Sequence, residues 1–132
     1  MSHHWMYQYF HKRWTPEYDC WAHFVEVQRE EFGIHSFDNL MGIPKVLDYV
    51  GALNYVKNNA VFKRHWQPVE KPKNGDAIVF GGGRLKFHIG TYLDCDTGGV
   101  LHCCESQGVT FTRWRAFVQM ESDEEFILRH AA

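Results

Sequence analysis

The sequence predicts an α+β domain, with helices in its N-terminal half packed on a small antiparallel β-sheet from its C-terminal half. Apolar residues recur at three- and four-residue steps after position 20, which is the period of a helix with one buried face. From position 76 onward short alternating runs take over, divided by turns rich in Gly, Asp and Asn. The chain has 132 residues, 45% of them hydrophobic and 16% aromatic. That is enough for one packed core and short for two. Helices first and strands second is the α+β order, so one domain is expected over 1–132, with 1–16 a candidate N-terminal arm.

The elements follow from local chemistry. Residues 3–14 are rich in aromatic side chains and read as a short helix or as an arm packed on the domain. Thr15-Pro16-Glu17 punctuates, because a proline disfavours helix in the residue before it. From Cys20 the apolar positions Trp21, Phe24, Val25 and Phe32 mark a helix of three to four turns, with Gln28 a gap in the stripe and Gly33 a stop. Asp19 is placed to cap its first amides. Residues 36–59 carry a second helical pattern, interrupted by Gly42, Pro44 and Gly51, and read as two short helices. Periodicity fades over 62–73, and Asn74-Gly75 closes that stretch with a turn. Strands are predicted over 76–80, 84–93, 99–104, 109–112, 114–120 and 126–129. Gly81-Gly82-Gly83 reads as a turn; it lacks the Gly-Lys-Ser/Thr ending and following helix of a phosphate loop.

Composition excludes several classes of function. A formal net charge of −2 leaves no basic face to draw in a phosphate backbone, so nucleic acid is not the expected partner. No run reaches the ~18 apolar residues of a membrane span, and 1–14 does not read as an export signal. The four cysteines, Cys20, Cys95, Cys103 and Cys104, lack the pairing density of a small disulfide scaffold and read as free thiols. His102, Cys103 and Cys104 are adjacent on a strand, where neighbours point to opposite faces. At most His102 and Cys104 share a side, so no metal and no cofactor is expected.

The candidate chemistry centres on Tyr18-Asp19-Cys20-Trp21. A thiol attacks an amide as thiolate, and an ordinary cysteine near pKa ~8.5 is mostly protonated at neutral pH. The positive end of a helix and a nearby imidazole both favour ionisation, and Cys20 opens a helix. His88, on a predicted strand, is the candidate general base. His102, on the next strand, is the candidate group that orients it, since a turn at 96–99 would pair the two strands and bring both rings toward one edge. The Cys20 amide and the Tyr18 hydroxyl are candidate oxyanion donors, with Asp19 and Trp21 beside them at the substrate.

The runs Tyr18-Asp19-Cys20-Trp21, Asn74-Gly75-Asp76-Ala77-Ile78-Val79-Phe80, His88-Ile89-Gly90-Thr91-Tyr92-Leu93 and Leu101-His102 together resemble the NlpC family of cell-wall cysteine peptidases, most of all the versions carried by phage tails. The match spans 18–113 in order, with a divergent middle over 34–73. Ala22 stands where a glycine is usual, and Thr15-Pro16-Glu17 replaces a glycine-rich approach to the cysteine. The resemblance implies a circularly permuted papain-like fold and hydrolysis of a peptide amide in peptidoglycan. Cys20 would be nucleophile, His88 base and His102 the orienting residue. It also implies a place in the virion tail, reached from the host cytoplasm without a signal peptide, with other tail proteins as partners. An alternative expectation is a tail assembly protein that keeps the fold and uses its aromatic N-terminal arm and C-terminal strand to bind neighbours. A third is acyl transfer to an amine instead of water.

Overall fold

The computed structural model describes residues 4–35, 65–82, 85–118 and 124–130. The two short helices expected over 36–59 lie outside the described residues. The described chain is α+β. A 3-10 turn, Trp5–Tyr9, precedes helix α1, Cys20–Phe32; the strands are β1 Trp66–Val69, β2 Ala77–Gly82, β3 Leu85–Leu93, β4 Gly99–Cys104, β5 Gly108–Arg113 and β6 Glu124–His130, and a short helix α2, Trp114–Val118, lies between β5 and β6. All pairings are antiparallel, in the order β1-β6-β2-β3-β4-β5.

Helix α1 begins and ends where its sequence directs. The Asp19 carboxylate accepts from the Ala22 amide at 2.9 Å, satisfying one of the donors that a first turn leaves without a partner. Gly33 takes the left-handed conformation with φ 67° and closes the last turn, a geometry that favours glycine. The buried face carries Trp21, His23, Phe24, Val27 and Gln28. Gln28, a gap in the apolar stripe, is fully buried because its amide donates to the Gly75 carbonyl and the Thr91 hydroxyl at 3.1 and 3.2 Å. It ties the helix to β3 and to the turn before β2.

The sheet has two covered faces. On one, Val27 of α1 and Met6 and Tyr9 of the 3-10 turn pack with Leu93, Leu101, Cys103 and Val109. On the other, Phe117 of α2 packs with Ile78 and Val100, joined by Tyr92, Trp114 and Ile127. The N-terminal stretch, expected as a short helix or an arm packed on the domain, forms the 3-10 turn Trp5–Tyr9 against this face. Its Lys12 carbonyl accepts from the Val109 amide at 3.1 Å along β5, which covers part of an edge that would otherwise be open for pairing.

Three local expectations are corrected. Residues 114–120 were expected as strand, but Trp114–Val118 is helical. Trp114 and Phe117, three residues apart, stack at 5.6 Å and 11°, so the helical spacing puts both rings on one side. Inside the stretch of faded periodicity, Trp66–Val69 is a strand paired to β6; Pro68 obscures it in sequence and is tolerated because β1 is an edge. The glycine turn begins later than 81, since β2 runs through Gly82 with its register shifted between Phe80 and Gly82.

Candidate active site

Cys20 is the first residue of α1, half-buried, and its sulfur meets the backbone amides of Ile89 and Trp21. The Ile89 contact places it. The ladder between β3 and β4 runs from Leu93↔Gly99 to Thr91↔Leu101, whereas β3 remains paired to β2 as far as Phe80↔His88. Past Thr91, toward His88, the Ile89 amide turns to the Cys20 sulfur. Extending the β3–β4 register would set Ile89 opposite Cys103, and Cys103 Sγ donates to the Tyr18 carbonyl at 3.7 Å. The nucleophile candidate therefore enters the sheet where two strands part, next to the peptide bond that joins His88 to Ile89.

His88 and His102 come together. His88 Nε2 and His102 Nδ1 are 2.8 Å apart, with the rings edge to face at 4.9 Å. His102 Nε2 lies 2.8 Å from Thr112 Oγ1 on β5. Strand alternation explains the arrangement: His88 and Gly90 on β3, His102 on β4 and Thr112 on β5 share the face that α2 covers, with Phe117 6.4 Å from the His102 ring. Gly90 permits it. A Cβ there would stand 2.9 Å from the Leu101 carbonyl oxygen and 3.0 Å from His102 Cβ, closer than packed atoms tolerate, so a side chain would push β4 and His102 away. The chain Thr112–His102–His88 engages the Nε2 of His88. When His102 Nε2–H donates to Thr112, His102 Nδ1 accepts from His88 Nε2–H and Nδ1 of His88 is the basic atom.

The electrostatics differ from the sequence expectation. Burial outweighs the helix end and pushes the Cys20 thiol up to about 12; the Asp19 carboxylate adds to that, and the Ile89 and Trp21 amides oppose it. Burial holds His88 well below the ordinary imidazole range, reinforced by His102 and His23, and lowers His102 to about 4. The resting pair is therefore neutral thiol and neutral imidazole, not the thiolate that the helix end alone would favour.

The other sequence candidates fall as follows. Asp19 is the cap. Trp21 is 3% exposed and packs on Phe24, so its ring belongs to the core. The Tyr18 hydroxyl donates to Glu26 Oε1 at 2.6 Å and lies 2.9 Å from His23 Nδ1, so it is engaged away from any oxyanion. The Cys20 amide lies in the first turn of α1, where backbone donors have no internal acceptor. Sequence reasoning missed Thr112 and His23. Thr112 was legible only through the alternation of β5 against His102, and His23 only as the residue one turn beyond Cys20. All four cysteines are free thiols. Among the described residues, no group of three His, Cys, Asp or Glu side chains is placed to hold a metal ion, and no helix is long and apolar enough to cross a membrane. No protein-family model, curated protein or solved structure gives a significant match to the chain.

Proposed function

We propose that this chain is a cysteine hydrolase of the permuted papain-like type that cleaves a peptide amide bond in peptidoglycan, acting as part of a phage tail tip. The observation that carries the reading is the 2.8 Å contact between His88 and His102, continued to Thr112, beside the amide that meets the Cys20 sulfur. Acyl transfer through sulfur requires an oriented imidazole and a thiol at one site; the His88–His102 contact supplies the orientation, and the Ile89 amide sets the Cys20 sulfur one residue along β3 from His88.

Because thiol and imidazole are both neutral at rest, the proton moves as the bond forms. His88 Nδ1 takes the Cys20 proton while the sulfur adds to the substrate carbonyl. His102 holds the ring and shares the charge that develops on it, and the Cys20 amide donates to the oxyanion. The His88 imidazolium then gives its proton to the departing amine, leaving a thioester on Cys20. Water, deprotonated by the same nitrogen, releases the acid and restores the thiol. The test is digestion of isolated cell walls by wild type and Cys20→Ala, with released muropeptides analysed by mass. New peptides from wild type and none from the variant support the reading; identical traces refute it.

The burial that pushes the Cys20 thiol up to about 12 favours a second reading, an assembly protein that keeps the fold without catalysis. The half-exposed Tyr7 and Phe10, whose rings meet edge to face at 5.3 Å, would then face a neighbouring tail protein. Inert Cys20 towards a small alkylating agent, with silent wall digests, selects that reading.

A further inference from the structure

Tyr18, the residue that precedes the helix cap, is held at each of its polar atoms. Its amide donates to the Thr15 hydroxyl and carbonyl at 2.9 and 3.0 Å. Its carbonyl accepts from Cys103 Sγ at 3.7 Å and from the Thr15 amide at 3.3 Å. Its hydroxyl donates to Glu26 Oε1 at 2.6 Å and lies 2.9 Å from His23 Nδ1. A hydroxyl has one proton to give, so with that proton on Glu26 it accepts from Nδ1–H of His23. Glu26 is itself anchored, since Lys12 Nζ reaches its two oxygens at 3.1 and 3.2 Å and lies 4.9 Å over the Tyr18 ring. Burial opposes ionisation of Glu26, but its hydrogen bonds outweigh burial and hold the carboxyl below its usual range.

The spacing of these contacts answers a weakness of helix ends. A helix frays from its termini, because the first turn is closed by few bonds. Cys20 is the first residue of α1 and is subject to that loss. A side chain just before the cap that packs on the fourth helical residue fixes the angle at which the chain enters. Tyr18 and His23 hold those two positions, with their rings edge to face at 5.8 Å. Glu26 lies three residues further along the same side, so the Tyr18 hydroxyl bridges from the chain before the helix to its second turn. Lys12 carries the brace on to the sheet, because its carbonyl accepts from the Val109 amide at 3.1 Å. An ordinary cap needs only the Asp19 carboxylate on the Ala22 amide. The additional bonds secure the turn that sets the Cys20 sulfur against the Ile89 amide.

We propose that Tyr18, anchored by Glu26, is a positioning residue for Cys20: the bridge from its hydroxyl to His23 and Glu26 keeps the first turn of α1 wound and the thiol at the Ile89 amide. The inference rests on Cys20 being the nucleophile. Tyr18 acts through the helix and does not touch substrate. Without its hydroxyl the first turn opens, and the thiol leaves the Ile89 amide and meets water. Cys20 then becomes more reactive toward a small free electrophile and less able to attack a substrate held in the site.

The test compares wild type, Tyr18→Phe and Glu26→Gln, each verified as folded by circular dichroism. Three quantities are read: amide hydrogen exchange along α1, iodoacetamide alkylation of Cys20 at pH 7 located by peptide mass, and muropeptides released from isolated walls. Tyr18→Phe keeps the ring and loses the hydroxyl. It is expected to speed exchange at Ala22, His23 and Phe24, and alkylation of Cys20, by roughly tenfold each, while wall digestion slows and exchange at Gln28, Arg29 and Glu30 stays as in wild type. Glu26→Gln keeps an oxygen for the Tyr18 hydroxyl and should fall between the two. A merely structural role would speed exchange along the whole helix. That uniform change, or wild-type exchange and alkylation in folded Tyr18→Phe, overturns the proposal. If Tyr18→Phe does not fold, Glu26→Gln decides by the same readings. Exchange and alkylation need no cell wall, so local opening with walls left uncleaved by wild type supports the brace while refuting the hydrolase.

Discussion

Cys20 and Gly90 show how single residues set this site, one through its position at a helix start and the other through the side chain it lacks. Gly90→Ala puts a methyl group against the Leu101 carbonyl and His102 Cβ. Overpacking of this kind destabilises by about 1–3 kcal/mol. The variant is expected to unfold at lower urea and to release muropeptides far more slowly, because His102 cannot shift without losing His88. Thr112→Val keeps the shape and removes the hydroxyl 2.8 Å from His102 Nε2. Loss of such a hydrogen bond costs about 1 kcal/mol, and wall digestion should slow with it; denaturation midpoints and digestion rates of the same preparation check both. At Cys20 the sign of the pKa shift gives a third expectation. A thiol raised to about 12 by burial is almost wholly protonated at pH 7, so its alkylation rate should climb about tenfold per pH unit above neutrality without the early plateau of a preformed thiolate. Stopped labelling at stepped pH reads this directly.

Among elements, α1 carries the candidate nucleophile and is held at both ends. Its cap is testable. Asp19→Ala removes the acceptor for the Ala22 amide and should lower stability by about 1 kcal/mol, measured by chemical denaturation. Helix α2 covers the sheet face that carries the histidine pair, its mutually stacked Trp114 and Phe117 rings meeting Tyr92 and His102 edge to face. Phe117→Ala opens a void beneath His102, expected to cost about 3–5 kcal/mol, and should impair wall cleavage before the sheet itself melts.

At the scale of the whole molecule, three neutral imidazoles buried together make stability depend on pH. His23 is lowered to about 3, chiefly by burial, and His102 to about 4, while His88 is lowered well below its ordinary value. The unfolded chain binds protons on these rings near 6.5 and the folded chain does not. Their contribution is therefore fully present above pH 6.5 and is lost as pH falls toward each folded value, by up to about 1.4 kcal/mol per unit for each ring. The melting temperature should hold steady from pH 8 to 7 and fall steeply from 6.5 to 4. His102→Asn should flatten that slope, and thermal scans across the range decide it.

Helix α1, strands β2 to β6, the cap at Asp19, the stop at Gly33 and the candidacy of Cys20, His88 and His102 were legible in the chain itself. Local periodicity and end chemistry act over a few residues, so they can be read without a partner. Contact between His88 and His102, the insertion of Cys20 where β3 and β4 part, the burial of Gln28 and His23, and the helical state of Trp114–Val118 depended on which strands became neighbours and where their pairing stopped. Burial, too, is a property of the assembled layers. It reversed the direction in which the helix end alone would have moved the Cys20 thiol, because removing a charge from water outweighs the partial charge of one helix terminus.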